Sequence, residues 1–137
     1  MIHSKQPRLS RLLLPVLFAA TAIVAADAPA SAAKPKQFIY VLRLVPRLHD
    51  DRAWTEADTK TVASHFAHLK AATEAGQVIL AGRTLEPGSK TFGLVVFEAA
   101  DEAAARTFME SDPALLGKIM TATVHPYQIA LQRGANR

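Results

Sequence analysis

Gly76 separates two incompatible hydrophobic periods, and this constrains the fold of the chain more than any other feature. Before it, Val62, Phe66, Leu69 and Thr73 recur at helical spacing and share one stripe at about 100° per residue. After it, Gln77-Val78-Ile79-Leu80-Ala81 is a short apolar run of strand composition. Thr55 is a suitable N-cap, and Glu56 and Asp58 fall in the first turn, where the helix dipole favours acids. The helix therefore runs from there to about Ala75 and stops at Gly76, which tolerates the left-handed backbone that closes a helix. His65 lies about 60° from the centre of the stripe, at the border of the buried face. His68 lies about 120° away, towards the rim or solvent.

The remaining segments supply what this helix packs on. Phe38 to Val45 reads as a strand with Phe38, Tyr40, Leu42 and Leu44 on one face. Its other face carries Arg43 among Ile39, Val41 and Val45, and Pro46 ends it. Arg47 to Trp54 reads as a polar loop whose tryptophan suits a lid or a dimer contact. Glu86 to Ser89 is a turn, and Thr91 to Glu98 is a strand that forms a hairpin with the preceding one. Asp101 to Met109 is a second helix that buries Ala104, Ala105, Phe108 and Met109. Ser111-Asp112-Pro113 breaks it, Ala114 to Ile119 forms a short helix, and Ala122 to Leu131 is a last strand interrupted by Pro126. The order β-α-β-β-α-β predicts an α+β, ferredoxin-like fold with a four-stranded antiparallel sheet and helices on one face. The other face carries Val and Leu side chains, which a second copy of the chain would cover.

The N-terminus has a separate character. Lys5, Arg8 and Arg11 precede the uncharged apolar run from Leu12 to Ala26, and a small-residue stretch from Asp27 to Ala33 follows. That order is expected of a secretory signal over residues 1–33, with a domain over 34–137. The apolar run is shorter than the ~20 residues that a membrane-spanning helix needs. The domain is therefore expected to be periplasmic or secreted and to leave the membrane after cleavage. Without residues 1–33 the 16 basic and 12 acidic groups of the chain become 13 and 11, for a net charge of +2. No basic stripe remains, which argues against nucleic acid as a partner. The chain has no cysteine, so neither a disulfide framework nor a lipid-modified cysteine is available.

Three motifs in order along this skeleton resemble the YCII-related family of small dimeric α/β-barrel proteins. The first is His65 to Gly82, a histidine, a leucine-bearing helix, a glycine and a short strand ending in Ala81-Gly82. Arg83 stands where the family pattern usually has proline. The second is Ser111-Asp112-Pro113-Ala114, and the third is Val124-His125-Pro126-Tyr127. The resemblance spans roughly Phe38 to Tyr127. It implies a homodimeric α/β barrel and an enzyme in which a histidine and an aspartate face one cleft; the matching residues are His65 and Asp112. The family includes a dechlorinating lyase that acts on an aromatic ring, and most of its members are cytoplasmic, so an export signal is a departure.

A carboxylate beside an imidazole sets its tautomer and stabilises imidazolium, so the ring can take and return protons near neutral pH. That chemistry predicts a lyase- or isomerase-like acid/base enzyme acting on a small organic molecule. The competing reading of His65 is a ring packed at a helix border, and that of Asp112 is an N-cap with Pro113 at the first helical position. A carboxylate has two oxygens, so capping and pairing can coexist. The wider alternative is a non-catalytic periplasmic domain that binds a ligand or a protein. Arg43 and Arg83 are candidate anion anchors, although Arg43 can instead pair with an acid such as Glu98 across the sheet. Tyr40 is a candidate for the cleft wall or for the core. His65 and His68 have an H-x-x-H spacing, but two ligands fall short of a metal site, and none is expected. No glycine-rich phosphate loop or nucleophile pattern is present, and no cofactor is expected.

Overall fold

The computed structural model describes residues 35–134. The segment read as an export signal lies outside them. The elements are β1 (Lys36–Leu44), α1 (Glu56–Glu74), β2 (Val78–Arg83), β3 (Gly93–Ala99), α2 (Glu102–Glu110), α3 (Pro113–Leu116) and β4 (Met120–Pro126), with short 3-10 turns in the connections after β1 and β2. The strands form one antiparallel sheet in the order β2-β3-β1-β4, the ferredoxin-like arrangement expected from the sequence. Among the described residues no helix is long and apolar enough to cross a membrane.

Local chemistry sets the ends of α1. Thr55 Oγ1 accepts from the Asp58 N–H, and the Asp58 carboxylate accepts from the Thr55 N–H, a reciprocal capping box. At the other end Gly76 has φ +80°. Its N–H donates to Thr73 O while the Gln77 N–H donates to Ala72 O, a Schellman closure that turns the chain straight into β2.

Strand alternation divides the sheet into two faces. Phe38, Tyr40 and Leu42 of β1 and Val95, Phe97 and Ala99 of β3 are buried beneath the helices. With Leu69, Val78, Ala105 and Met109 they form the main core. Phe97 lies at its centre, with ring centroids 5.6 Å from Tyr40 and 4.9 Å from Phe108. A smaller cluster of Leu48, Ala114 and Ile119 seals the other end, and Trp54 and Val62 pack against it.

The structure departs from the sequence reading in several places. Ala104, assigned to the buried side of the second helix, is exposed, and the short helix ends at Leu116 instead of Ile119. The buried side of α1 runs through Asp58, Val62, His65, Leu69 and Ala72, so His65 lies near its middle and not at its border. Phe66, assigned to the stripe, is 68% exposed, and Thr73 is exposed too. Phe66 borders an open cleft beside α1 instead of the packed core. The last strand ends at Pro126 instead of Leu131, because proline has no N–H to continue the ladder and the Tyr127 N–H makes a final bond to Gln37 O. The segment from Arg47 to Trp54 is not a plain polar loop, since Leu48 within it is fully buried.

Candidate active site

Asp112 is the N-cap of α3, with Pro113 at the first helical position. Its carboxylate is 0% exposed and holds three donors. Oδ1 accepts from the Ala114 N–H at 2.9 Å and from the His65 ring at Nδ1, 2.7 Å away, and Oδ2 accepts from the Tyr40 hydroxyl at 2.9 Å. Capping and pairing therefore coexist on one carboxylate. Burial pushes the Asp112 carboxyl up, but the hydrogen bonds from His65, Ala114 and Tyr40 outweigh it and hold the group below its ordinary value. Asp112 is thus ionised at neutral pH and can only accept, so the proton of that contact sits on His65 Nδ1. This leaves Nε2 as the unprotonated nitrogen of a ring that is 15% exposed and lines an open cleft.

The approach of α3 to α1 that closes this contact depends on a glycine that the sequence reading passed over. A Cβ on Gly117 would lie 2.6 Å from Thr61 Cγ2 of α1 and 3.0 Å from Pro113 O. A bare backbone at this point lets the two helices come together, and His65 meets Asp112 one turn further along.

The cleft lies between α1 and the helix-facing side of the sheet and has a volume of about 990 Å³. Val62, Phe66 and Leu69 form one wall with His65, and Leu42, Leu44 and Met120 contribute from the sheet. Trp54 forms part of another side, anchored by its Nε1–H to Leu48 O at 3.2 Å, so it is a fixed wall and not a free lid. The loop that carries it is held by Asp58, whose buried carboxylate accepts from Arg47 Nη1 and Nη2 at 3.0 and 2.5 Å and from the Thr55 hydroxyl at 2.7 Å. The Arg47 hydrogen bonds, with those from Thr55, hold Asp58 well below the usual carboxylate range. The Thr55-x-x-Asp58 spacing is a capping-box signal that could have revealed this anchor.

The other sequence candidates separate. Tyr40 is fully buried and lies behind Asp112, so it positions the carboxylate and does not line the cleft. Burial first, and then the charge and hydrogen bond of Asp112, push its phenol well above the ordinary range. Arg43 is on the opposite face of the sheet, where its guanidinium lies over Phe92 at 5.4 Å, and Glu98 stands opposite Gln37, out of its reach. Strand alternation moves it there, because its neighbour Leu42 faces the helices. Arg83 does line the cleft. His68 is not at a solvent rim. It stacks on Phe108 at 5.3 Å, and its Nε2 is buried with no partner among the described residues. His125 is exposed, with Nε2 3.3 Å from the Thr123 hydroxyl. Among the described residues no group of three or more His, Cys, Asp or Glu side chains is arranged to hold a metal.

A family model described as a YCII-related domain matches residues 19–126, which begins inside the segment read as an export signal. No curated protein matches the chain. Among solved structures the chain is similar to the 5-chloro-2-hydroxyhydroquinone dehydrochlorinase of Burkholderia phenoliruptrix AC1100, solved in complex with 2,5-dihydroxybenzoquinone. The TM-score is 0.52 and the identity 19%, over 67% of this chain and 93% of that one. At that identity the likeness is one of fold.

Proposed function

We propose, from the premise that this chain belongs to the YCII-related family, that it is an acid/base enzyme acting on a small organic molecule in the cleft beside His65. His65 Nε2 takes a proton from an activated C–H or O–H of the bound molecule. The ring becomes imidazolium, and the Asp112 carboxylate on Nδ1–H stabilises that charge without taking the proton. Nε2–H then returns the proton to another atom of the same molecule, which is the outline of an isomerase- or lyase-type step. The burial of Asp112, with no exposed surface, strengthens the ion pair. The observation that carries this reading is the 2.7 Å contact between His65 Nδ1 and a fully buried carboxylate, in the wall of an open cavity.

The test is proton exchange. Enolisable ketones and hydroxylated aromatic compounds are incubated in D2O with the protein, and loss of C–H signal is followed by NMR. Exchange above buffer is expected for part of the panel, with a fall of about a hundredfold or more in His65→Ala. A folded His65→Ala variant that exchanges as fast as the parent would refute the role, and no exchange with any compound would favour a binding domain. The reading includes export and a homodimer. Export is supported by the basic, apolar and small-residue order of residues 1–33. The homodimer is supported by Ile39, Val41, Leu94 and Val96 on the sheet face away from the helices. N-terminal sequencing of the product secreted by the host and light scattering test these two points, and a full-length or monomeric product would count against them.

A further inference from the structure

We propose that Arg83 makes the cleft selective for an apolar molecule that carries one anionic group. This rests on the cleft being the ligand site. The β2–β3 register places Arg83 opposite Gly93 and Ala81 opposite Val95, on the face that the helices cover. Arg83 therefore points to the same side as His65, and both line the cavity. The other charges in the lining are already matched, with Lys70 paired to Glu74 and His65 to Asp112. Arg83 is in no ion pair among the described residues.

Gly93, opposite Arg83, puts no side chain beside the guanidinium on that face. A Cβ there would make a tight contact with Leu42 Cδ1 at 3.3 Å. Much of the wall is apolar, through Val62, Phe66 and Leu69. A planar cation with a fork of donors at one end of an apolar slot recognises a carboxylate, a sulfonate or an ionised hydroxyl, and the slot holds the body of the molecule. Because the anchor is a strand residue and the base a helix residue, an anion held by Arg83 also fixes which part of the molecule meets His65.

Two fluorescent probes isolate the charge. 1-Anilinonaphthalene-8-sulfonate is an apolar anion, and N-phenyl-1-naphthylamine is the same frame without the sulfonate. Both are titrated against the full chain and against Arg83→Gln, Arg83→Lys and Ala81→Leu, with folding checked by circular dichroism. The parent is expected to bind the anion about tenfold more tightly than its neutral twin, the factor that one charge-assisted hydrogen bond supplies. Arg83→Gln should abolish that preference and leave the neutral probe unchanged, Arg83→Lys should keep part of it, and Ala81→Leu should weaken both probes by filling the slot. If Ala81→Leu weakens both probes but Arg83→Gln keeps the preference, the Arg83 assignment is overturned and the cleft reading stands. If Ala81→Leu affects neither probe, or the anionic probe does not bind the parent, both are overturned.

Discussion

Replacing Tyr40 by phenylalanine removes one oxygen and nothing else from the core. The ring keeps its edge contacts with Phe97 and Phe108, at 5.6 and 6.3 Å, so packing is conserved. What is lost is a hydrogen bond to a charged acceptor, worth about 1.5–3 kcal/mol. Asp112 Oδ2 is left without its donor in a site with no exposed surface, although Oδ1 keeps both of its own. The net cost is about 2–3 kcal/mol at neutral pH. For a domain of about a hundred residues this lowers Tm by roughly 10–20 °C. A second signature appears at high pH. The folded state holds the Tyr40 proton more tightly than the unfolded state, whose phenol has the ordinary value of 10.0. Above that value the unfolded chain releases the proton first, so stability falls with rising pH, by up to about 1.4 kcal/mol per pH unit from this one group. The variant lacks that share and should show a shallower alkaline limb. Urea unfolding of both proteins at pH 7 and pH 11, with Trp54 fluorescence as the signal, measures both effects. A variant within about 0.5 kcal/mol of the parent at pH 7 and parallel to it at pH 11 would refute the idea that Tyr40 holds Asp112. So would Tyr40→Phe and Asp112→Asn costs that simply add, since coupled partners do not.

The acid limb should report Asp112 itself. Its folded value is depressed, so the stability it contributes is complete above the unfolded value near pH 4 and is lost as pH falls below it. Asp112→Asn should therefore flatten the fall in urea midpoint between pH 5 and pH 3, and an unchanged slope would count against an ionised, hydrogen-bonded carboxylate. Gly117→Ala should destabilise by about 1–3 kcal/mol through its clash with Thr61. Thr61→Ser in the same chain removes the methyl and should recover much of that loss in thermal melts; a double variant no better than Gly117→Ala would show that the helix approach is not the cause. Lys118 has φ 56°, a left-handed backbone for a side chain with a Cβ. Lys118→Gly should be neutral or raise stability by up to about 1 kcal/mol, and a loss of more than that would refute the strain argument.

Some of these features act over a few residues, and the sequence alone determined them. Thr55 and Asp58 start α1, Gly76 ends it, and Asp112-Pro113 starts α3, because capping and positive φ depend only on the neighbouring backbone. The alternation of helical and strand periods was equally local, and with the topology rules for small sheets it led to the ferredoxin-like order. Which face each residue shows was a different matter. Phe66 is apolar and at helical spacing, yet it borders the open cleft instead of the packed core. Arg43 and Arg83 were equivalent candidates in the sequence; a pleat turns one away from the site, and a β-bulge between Val78 and Leu80 helps turn the other towards it. Tyr40 read as cleft wall or core, and its role in holding the carboxylate came only from the placement of α3 over its hydroxyl. His65 and Asp112, 47 positions apart, meet because α3 packs against α1, an approach that Gly117 eases. Local backbone chemistry determined the elements. Their mutual packing decided which side chains share a cavity, because burial and charge pairing depend on partners that no short stretch of sequence contains.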